Sequence, residues 1–211
     1  GAETARAIFA YDTEGDGIAV IEGAMGFYDG VQVSEEASAY RTAQALQCPV
    51  LLVVDAKGKS LSVCAEIEGF ASFREQKGDR SCIRGVILNR CSASLYRKLA
   101  PRIQETCGIP ALGYLEQQDV FSLPSRHLGL VTPDAVSGLQ QKMVALAEAA
   151  ARTLDLASIR ALAASAPAFS YDDTLFIPPP PADRGPAPAP RIAYARDEAF
   201  CFYYRENLAL L

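Results

Sequence analysis

Short, uninterrupted apolar runs recur along the first half of the chain, and a polar residue closes or directly follows each one. The runs are Gly17–Glu22, Pro49–Asp55, Cys82–Asn89 and Pro110–Leu115. The first three are rich in Val and Ile, and none alternates regularly between apolar and polar positions, which is typical of parallel strands buried on both faces. The pattern therefore predicts four parallel strands.

Longer stretches of mixed polarity separate these runs. Ser34–Gln47, Leu61–Phe73 and Ala93–Thr106 are each long enough for a crossover helix, and Gly108 is a stop signal for the third. The Ala- and Leu-rich stretch Ser137–Ala166 predicts one or two further helices on the sheet. Alternating strands and helices predict an α/β fold with a doubly wound, mainly parallel sheet.

A proline-rich segment separates the last part of the chain. Residues 177–190 hold seven of the chain's 13 prolines, which excludes a helix or a central strand and favours a polyproline-like linker. Beyond it, Arg191–Arg196 predicts a strand and Glu198–Leu211 the beginning of a helix. We therefore expect one main domain over residues 1–176 and, after the linker, the first βα unit of a second domain over residues 191–211.

Composition and charge narrow the class of protein. The 211 residues carry 20 Lys and Arg against 25 Asp and Glu, a net charge of −5, and 50% of them are hydrophobic. These values favour a folded core and argue against a disordered chain or a binder of nucleic acid through bulk basic charge. No apolar run approaches the ~18 residues of a membrane helix, and no secretory signal is visible at Gly1. The expectation is a cytoplasmic protein without membrane or nucleic-acid partners.

Cysteine and histidine usage limits metal chemistry. The six cysteines form no CxxC pair, and His127 is the only histidine, so a multi-histidine metal site is excluded. Cys201 lies within an aromatic run and is predicted to fill the core as a small apolar residue.

The ends of the predicted strands carry the polar residues that could bind a ligand. In doubly wound sheets, ligands bind at the carboxyl ends of the strands, where Glu22, Asp55, Asn89 and Glu116 fall. Each of these side chains could instead cap a turn. Glu22–Gly30 holds three glycines in nine residues, with acids at positions 22 and 29, and glycines permit close backbone approach to a ligand. A carboxylate in such a place is typical of Mg²⁺ binding in nucleotide enzymes.

A phosphate-binding loop of the form G-x-x-x-x-G-K-[ST] is absent from the sequence. Gly58-Lys59-Ser60 matches only its end, because Val53 stands where the first glycine is required. We interpret Gly58-Lys59 as a surface turn.

Five blocks of the chain, in order, resemble those of the cobyrinic acid a,c-diamide synthases. They are Val20–Gly30, Val54–Gly58, Gly85–Arg90, Leu123–Leu130 and Arg191–Tyr204. The second and third also occur in dethiobiotin synthetase-like ATPases, so the other three carry the specificity. The resemblance implies a P-loop NTPase fold lacking its first strand and P-loop, followed by the start of a glutamine amidotransferase domain. We therefore expect a middle fragment of such an enzyme, inactive by itself.

The resemblance also implies a reaction. The family uses ATP and Mg²⁺ to phosphorylate the a and c acetate carboxylates of cobyrinate or hydrogenobyrinate in cobalamin biosynthesis. Ammonia from the glutaminase domain of the parent chain then displaces phosphate, because an acyl phosphate has the leaving group that a carboxylate lacks. Whether the corrinoid substrate carries cobalt, which carboxylate reacts first and whether the protein forms a homo-oligomer stay open.

Site residues are carried over from the resemblance by position. Glu22 is expected to be catalytic as the Mg²⁺ ligand, and Asp29 to be catalytic by positioning the substrate carboxylate. Asn89 is expected to read the adenine of ATP, since an amide donates and accepts at once, and Asp55 to lie beside the nucleotide. As alternatives, Glu22 could cap the following turn, Asp29 could be a plain turn residue before Gly30, and Asn89 could cap the helix beginning near Ala93.

Three further residues are expected on the substrate side. Tyr28 accompanies Asp29, while Arg126 and His127 could contact the carboxylates of an acidic corrinoid, the arginine through its bidentate fork. His127 could equally be a polar surface residue.

Two other functions stay open from the sequence. The missing P-loop and the proline-rich segment would also suit a nonenzymatic α/β interaction module derived from a P-loop ATPase. The related cobyric acid synthase, which amidates other side chains of the same ring, is a third possibility.

Overall fold

A computed structural model describes residues 1–13, 17–73, 81–123, 136–168, 170–172, 191–197 and 200–210. The chain divides into two compact units. One consists of Gly1–Ala19 with Ala168–Leu211, and the other of Val20–Pro167.

A three-stranded parallel sheet forms the centre of the Val20–Pro167 unit. Its strands are β1 (Val50–Asp55), β2 (Ile83–Asn89) and β3 (Ala111–Leu115), in the order β1-β2-β3. Three of the four strands predicted in the first half of the chain are thus confirmed within one or two residues, and so is an α/β fold with a parallel sheet.

Seven helices lie among the described residues. They are α1 (Ala2–Asp12), α2 (Ala39–Leu46), α3 (Ser62–Ser72), α4 (Ala93–Cys107), α5 (Leu139–Thr153), α6 (Leu156–Ala164) and α7 (Arg205–Leu210). The predictions for α3 and α4 are confirmed, and Gly108 ends α4 in the left-handed region at φ 66°. The stretch Ser137–Ala166 forms two helices. Helix α2 begins later than predicted because Ser38 caps it, accepting the Arg41 N–H.

The main core lies where α3 and α4 pack with the sheet. Alternate strand residues, among them Leu52, Val54, Val86 and Leu88, join apolar residues of the two helices in one buried cluster. Gly85 projects to the other face, where a Cβ would lie 2.7 Å from Leu112 and 2.8 Å from Leu51 side-chain atoms. Burial of these side chains is the main source of stability for this unit.

Strand β3 contains an irregularity that brings the helical pair α5–α6 against it. Val86 pairs with Ala111, but Leu88 pairs with Tyr114, so β3 has one residue more than β2 between the two pairs. Gly113 there has φ 131° and lies against the backbone of Thr153 and Leu154. The absence of a Cβ is required at this contact.

Two predicted strands are not formed. Gly17–Glu22 is irregular and exposed, with Val20 91% exposed, and Arg191–Arg196 is also irregular. A strand requires a hydrogen-bonded neighbour, and none of the described strands pairs with either segment. The apolar pattern alone was therefore insufficient.

The predictions for the C-terminal part are only partly correct. Among the described residues of the helix expected over Glu198–Leu211, Arg205–Leu210 are helical and 200–204 are irregular. Cys201 was wrongly predicted to be a core residue, because its side chain is exposed. The linker 177–190 lies outside the described residues.

None of the described helices combines the length and apolar character needed to cross a membrane.

Candidate functional site

The carboxyl ends of the three strands meet at one edge of the sheet, as the sequence predicts. Asp55 and Asn89 are register partners, and so are Asn89 and Leu115. The Ala56 N–H donates to the Asn89 carbonyl (2.9 Å), and the Cys91 N–H donates to that of Leu115 (2.9 Å). This carboxyl edge therefore brings together two of the predicted nucleotide-binding residues.

Asp55 is engaged in an ion pair that the sequence analysis did not foresee. The Arg90 guanidinium donates to both of its carboxylate oxygens, with Nε 2.8 Å from Oδ1. The Lys57 N–H donates to Oδ1 as well (3.1 Å). The hydrogen bonds from Arg90 and then Lys57 hold the pKa of Asp55 below its ordinary value. Asp55 is thus a charged residue that holds Arg90 at the edge.

Asn89 is exposed beside this pair. Its Oδ1 accepts the Arg90 N–H (3.0 Å), and Arg90 lies in the left-handed region at φ 53°. Ser92, not Asn89, caps α4 by accepting the Leu95 N–H (3.3 Å). The capping alternative for Asn89 is therefore excluded, and its amide NH₂ makes no hydrogen bond within the part of the chain that the structure describes.

Glu116 has a structural role at the same edge. Its Oε1 accepts the Ala93 N–H in the first turn of α4 (3.0 Å), which satisfies an otherwise unpaired helix donor and places a negative charge at the positive end of the helix.

Glu22 and Asp29 both lie exposed in the glycine-containing loop that precedes α2. Within the described part of the chain, the Glu22 side chain makes no hydrogen bond or ion pair, so no turn-capping role is observed. Asp29 ends a tight turn in which its N–H donates to the Gly26 carbonyl (3.0 Å). Its carboxyl group folds over Gly26, where a Cβ would lie 2.9 Å from the Asp29 Cγ.

The glycines of this loop bring the chain close to itself. A Cβ on Gly23 would lie 2.8 Å from the Cβ of Ala39, and one on Gly30 would lie 2.8 Å from the carbonyl carbon of Glu36. The Gly30 N–H also donates to the Ser34 carbonyl (2.9 Å). The glycine pattern predicts room for a ligand, whereas Gly23 and Gly30 are required for internal packing.

Tyr28 belongs to an aromatic cluster formed by Phe27, Tyr28, Tyr40, Phe70 and Phe73. Its ring centroid lies 4.8–6.2 Å from those of the other four. Its hydroxyl donates to the Phe70 carbonyl in α3 (2.7 Å), and Tyr40 in α2 is fully buried. The cluster therefore attaches the loop to two helices.

The Glu22 carboxylate suits a metal ion only when other ligands complete the coordination. No group of three His, Cys, Asp or Glu side chains within the described ranges could hold a metal ion. Mg²⁺ commonly binds through one or two carboxylates together with phosphate oxygens and waters. One exposed carboxylate fits this mode of binding. Arg126 and His127 lie outside the described residues.

The cysteines offer no activated nucleophile in the core. Burial raises the pKa of the Cys48, Cys64, Cys82 and Cys91 thiols, and that of Cys107 to about 11. These thiols are protonated at neutral pH.

A cavity of about 520 Å³ beside Cys107 lies at the amino ends of β2 and β3, away from the carboxyl edge.

Comparison with known proteins confirms the resemblance. The chain is 34% identical over 194 residues to the cobyrinate a,c-diamide synthase of Clostridium tetani, an alignment covering 92% of this chain and 41% of that protein. It is 36% identical over 209 residues to that of Gloeobacter violaceus (98% and 43%). Identity to the Clostridium acetobutylicum protein of the same name is 36% over 213 residues (100% and 45%). The chain spans less than half the length of these curated relatives.

No family model matches the chain, and no solved structure shows a significant match.

Proposed function

We propose that this chain, a homologue of one portion of the cobyrinate a,c-diamide synthases, forms part of a ligase that amidates the a and c acetate carboxylates of cobyrinate or hydrogenobyrinate. The observation that carries the proposal is identity of 34–36% to proteins of that name over 92–100% of the chain. The three-stranded parallel sheet supports a fold like that of dethiobiotin synthetase, a P-loop NTPase.

The domain organisation follows the same proposal. Residues 1–176 would belong to the synthetase domain, residues 177–190 to a linker and residues 191–211 to the beginning of the glutaminase domain. The parent chain's glutaminase would supply the ammonia. The cytoplasm is the compartment we expect, because the pathway consumes ATP and glutamine.

The loop carboxylates would act on the corrinoid. Mg·ATP supplies the phosphoryl group that turns a carboxylate into an acyl phosphate. Glu22, exposed and without a partner among the described residues, would hold the metal. Asp29, exposed on a fixed turn, would orient the substrate carboxylate or its acyl phosphate.

The carboxyl edge would receive the adenine side of the nucleotide. The NH₂ of Asn89, unbonded among the described residues, can donate to a ring nitrogen of adenine, while its Oδ1 already accepts one hydrogen bond and has a second lone pair. Asp55 would contribute indirectly, by holding Arg90. Arg126 and His127 remain proposed contacts to the corrinoid's carboxylates.

Corrinoid binding tests the proposal directly. The 211-residue chain is titrated with cobyrinic acid while the visible spectrum of the corrinoid is followed. We expect saturable binding that Asp29→Asn weakens at least about tenfold, because a carboxylate can bond the substrate's carboxyl group through a shared proton and an amide cannot. A hydrogen bond involving a charged group contributes about 1.5–3 kcal/mol. The matched control is Asp119→Asn, at another exposed aspartate of the same unit. An unchanged spectrum up to millimolar corrinoid, or an equal effect of both variants, would contradict the proposal.

A further inference from the structure

The loop that carries Glu22 and Asp29 is attached to the rest of its unit at several points. Tyr28 lies between the two acids in the sequence, directly before Asp29. The Phe27 carbonyl accepts the N–H of Tyr40 in α2 (3.0 Å). The Tyr28 hydroxyl reaches 42 residues along the chain to the Phe70 carbonyl in α3 (2.7 Å). Asp29, which comes next, is exposed. One side chain thus connects a candidate catalytic turn to a helix of the core.

The chain following Asp29 is fixed in a different way. The Gly30 N–H donates to the Ser34 carbonyl (2.9 Å), and the Val31 N–H donates to the Glu36 carbonyl (2.8 Å). Asp29 is therefore held between an aromatic anchor on one side and a backbone turn on the other. The side chain of Tyr28 can be altered without changing the backbone of the turn, and its hydroxyl is the group that bonds the loop to α3.

The surroundings of Tyr28 indicate what it does. Its ring lies 4.9 Å from that of Phe73 and 5.0 Å from that of the fully buried Tyr40, and the hydroxyl is engaged with a main-chain carbonyl. A phenol in such a setting orders the chain that carries it. A carboxylate that must meet its substrate in one geometry gains from being held in that geometry before binding.

We propose that Tyr28 is a positioning residue, which fixes the Asp29 turn for the corrinoid through its hydrogen bond to the Phe70 carbonyl and does not itself bind the substrate. The benefit to corrinoid binding rests on the proposed function, whereas the anchoring of the turn does not.

The test compares two tyrosines that make the same bond. Tyr96 in α4 also donates its hydroxyl to a main-chain carbonyl, that of Ala111 (2.8 Å), and stacks on Tyr114. Tyr28→Phe and Tyr96→Phe each remove one hydroxyl and keep the ring. Backbone amide exchange of Asp29, Gly30 and Val31 is measured in both full-length variants, with amides of β2 as an internal measure of global stability. Cobyrinic acid binding is measured in parallel.

We expect Tyr28→Phe to accelerate exchange at the three loop amides about fivefold, the effect of losing one net hydrogen bond, with β2 unchanged. Corrinoid binding should weaken several-fold. Tyr96→Phe should change neither loop exchange nor binding. Asp29→Asn should weaken binding without accelerating loop exchange.

The other outcomes are also decisive. Unchanged loop exchange in Tyr28→Phe would overturn the proposal, and weaker binding with unchanged exchange would show that the hydroxyl contacts the ligand. If the unmodified chain does not bind corrinoid, the proposed function fails, but loop exchange still decides whether Tyr28 anchors the turn. If both tyrosine variants lose β2 protection, amide exchange of Tyr28→Leu in low urea is compared with that of the unmodified chain at matched global stability. The proposal holds if the loop amides of the variant exchange before those of β2, and it fails if they exchange together.

Discussion

Gly30 illustrates how a single residue determines the shape of the candidate site. A Cβ at this position would clash with the Glu36 carbonyl, which is main chain and cannot rotate away. We expect Gly30→Ala to lower the free energy of unfolding by about 1–3 kcal/mol, the usual range for overpacking. Urea denaturation measures the change.

The matched control is Gly69→Ala in α3, where nothing lies within 4 Å of the added Cβ. Alanine should stabilise this helix position by about 0.5–1 kcal/mol, because glycine loses more backbone entropy on folding. Equal effects of the two substitutions would show that the loop does not depend on the close approach at Gly30.

The ion pair between Asp55 and Arg90 predicts a pH dependence. Because the pKa of Asp55 is lower in the folded than in the unfolded chain, the pair stabilises the fold above about pH 4. That contribution disappears as the pH falls through the folded pKa. Asp55→Asn should therefore lower stability at pH 7 and flatten its decline as the pH falls below about 5.

A double-mutant cycle separates the pair from other effects of the substitution. Once Asp55→Asn has removed the carboxylate, adding Arg90→Gln should cause little further loss at pH 7. Full additivity of the two changes would mean that the pair does not contribute to stability in solution.

The sequence predicted the location of single site residues correctly where these residues stand at the ends of strands. Asp55 and Asn89 fall at the same edge because parallel strands bring their carboxyl ends together. The partner of Asp55 was missed, since nothing in the sequence indicates that Arg90 turns back across the strand ends. The roles of Gly23 and Gly30 were missed because a glycine pattern shows that close approach is possible but not what approaches.

At the scale of secondary-structure elements, the two faces of β1 predict different effects of the same substitution on stability. Val53 is 61% exposed and Val54 only 2% exposed, although they are neighbours. Val54→Thr should cost about 1–3 kcal/mol, because it buries a hydroxyl in the core cluster. Val53→Thr should change stability by less than about 0.5 kcal/mol. Denaturant midpoints compare the two, and equal losses would contradict the assignment of the faces.

The N-terminus of α4 offers a second test at this scale. Ser92 accepts the Leu95 N–H, so Ser92→Ala should lower the free energy of unfolding by about 1 kcal/mol. Ser62→Ala, at the exposed start of α3, is the control, because no side-chain bond of Ser62 occurs among the described residues. If Ser62→Ala lowers the free energy of unfolding as much as Ser92→Ala does, the cap is not formed in solution.

The elements that the sequence predicted correctly are those whose partners are nearby in the chain. Strand β2 pairs with β1 before it and with β3 after it, and the two crossover helices α3 and α4 pack on the sheet. Gly17–Glu22 and Arg191–Arg196 have comparable apolar patterns, but none of the described strands pairs with them. An apolar run therefore predicts burial only where the rest of the molecule provides a neighbour, and this information is not local.

For the molecule as a whole, the position of the core predicts which part of the chain can fold by itself. Every residue of the main buried cluster, from Leu52 in β1 to Ile109 before β3, lies within the Val20–Pro167 unit. At 148 residues this unit has the size of an ordinary single domain. Folding free energy comes mainly from such burial, so the polypeptide of residues 20–167 should fold without the remainder of the chain.

Urea unfolding of this polypeptide, followed by circular dichroism, provides the measurement. We expect one cooperative transition, because the sheet and the helices packed on it share a single cluster and cannot unfold independently. The Tyr28 and Tyr96 comparison should give the same result in this polypeptide as in the full chain, since Phe70 and Ala111 lie inside it. A broad, non-cooperative loss of signal would mean that the core also depends on residues 1–19 or 168–211.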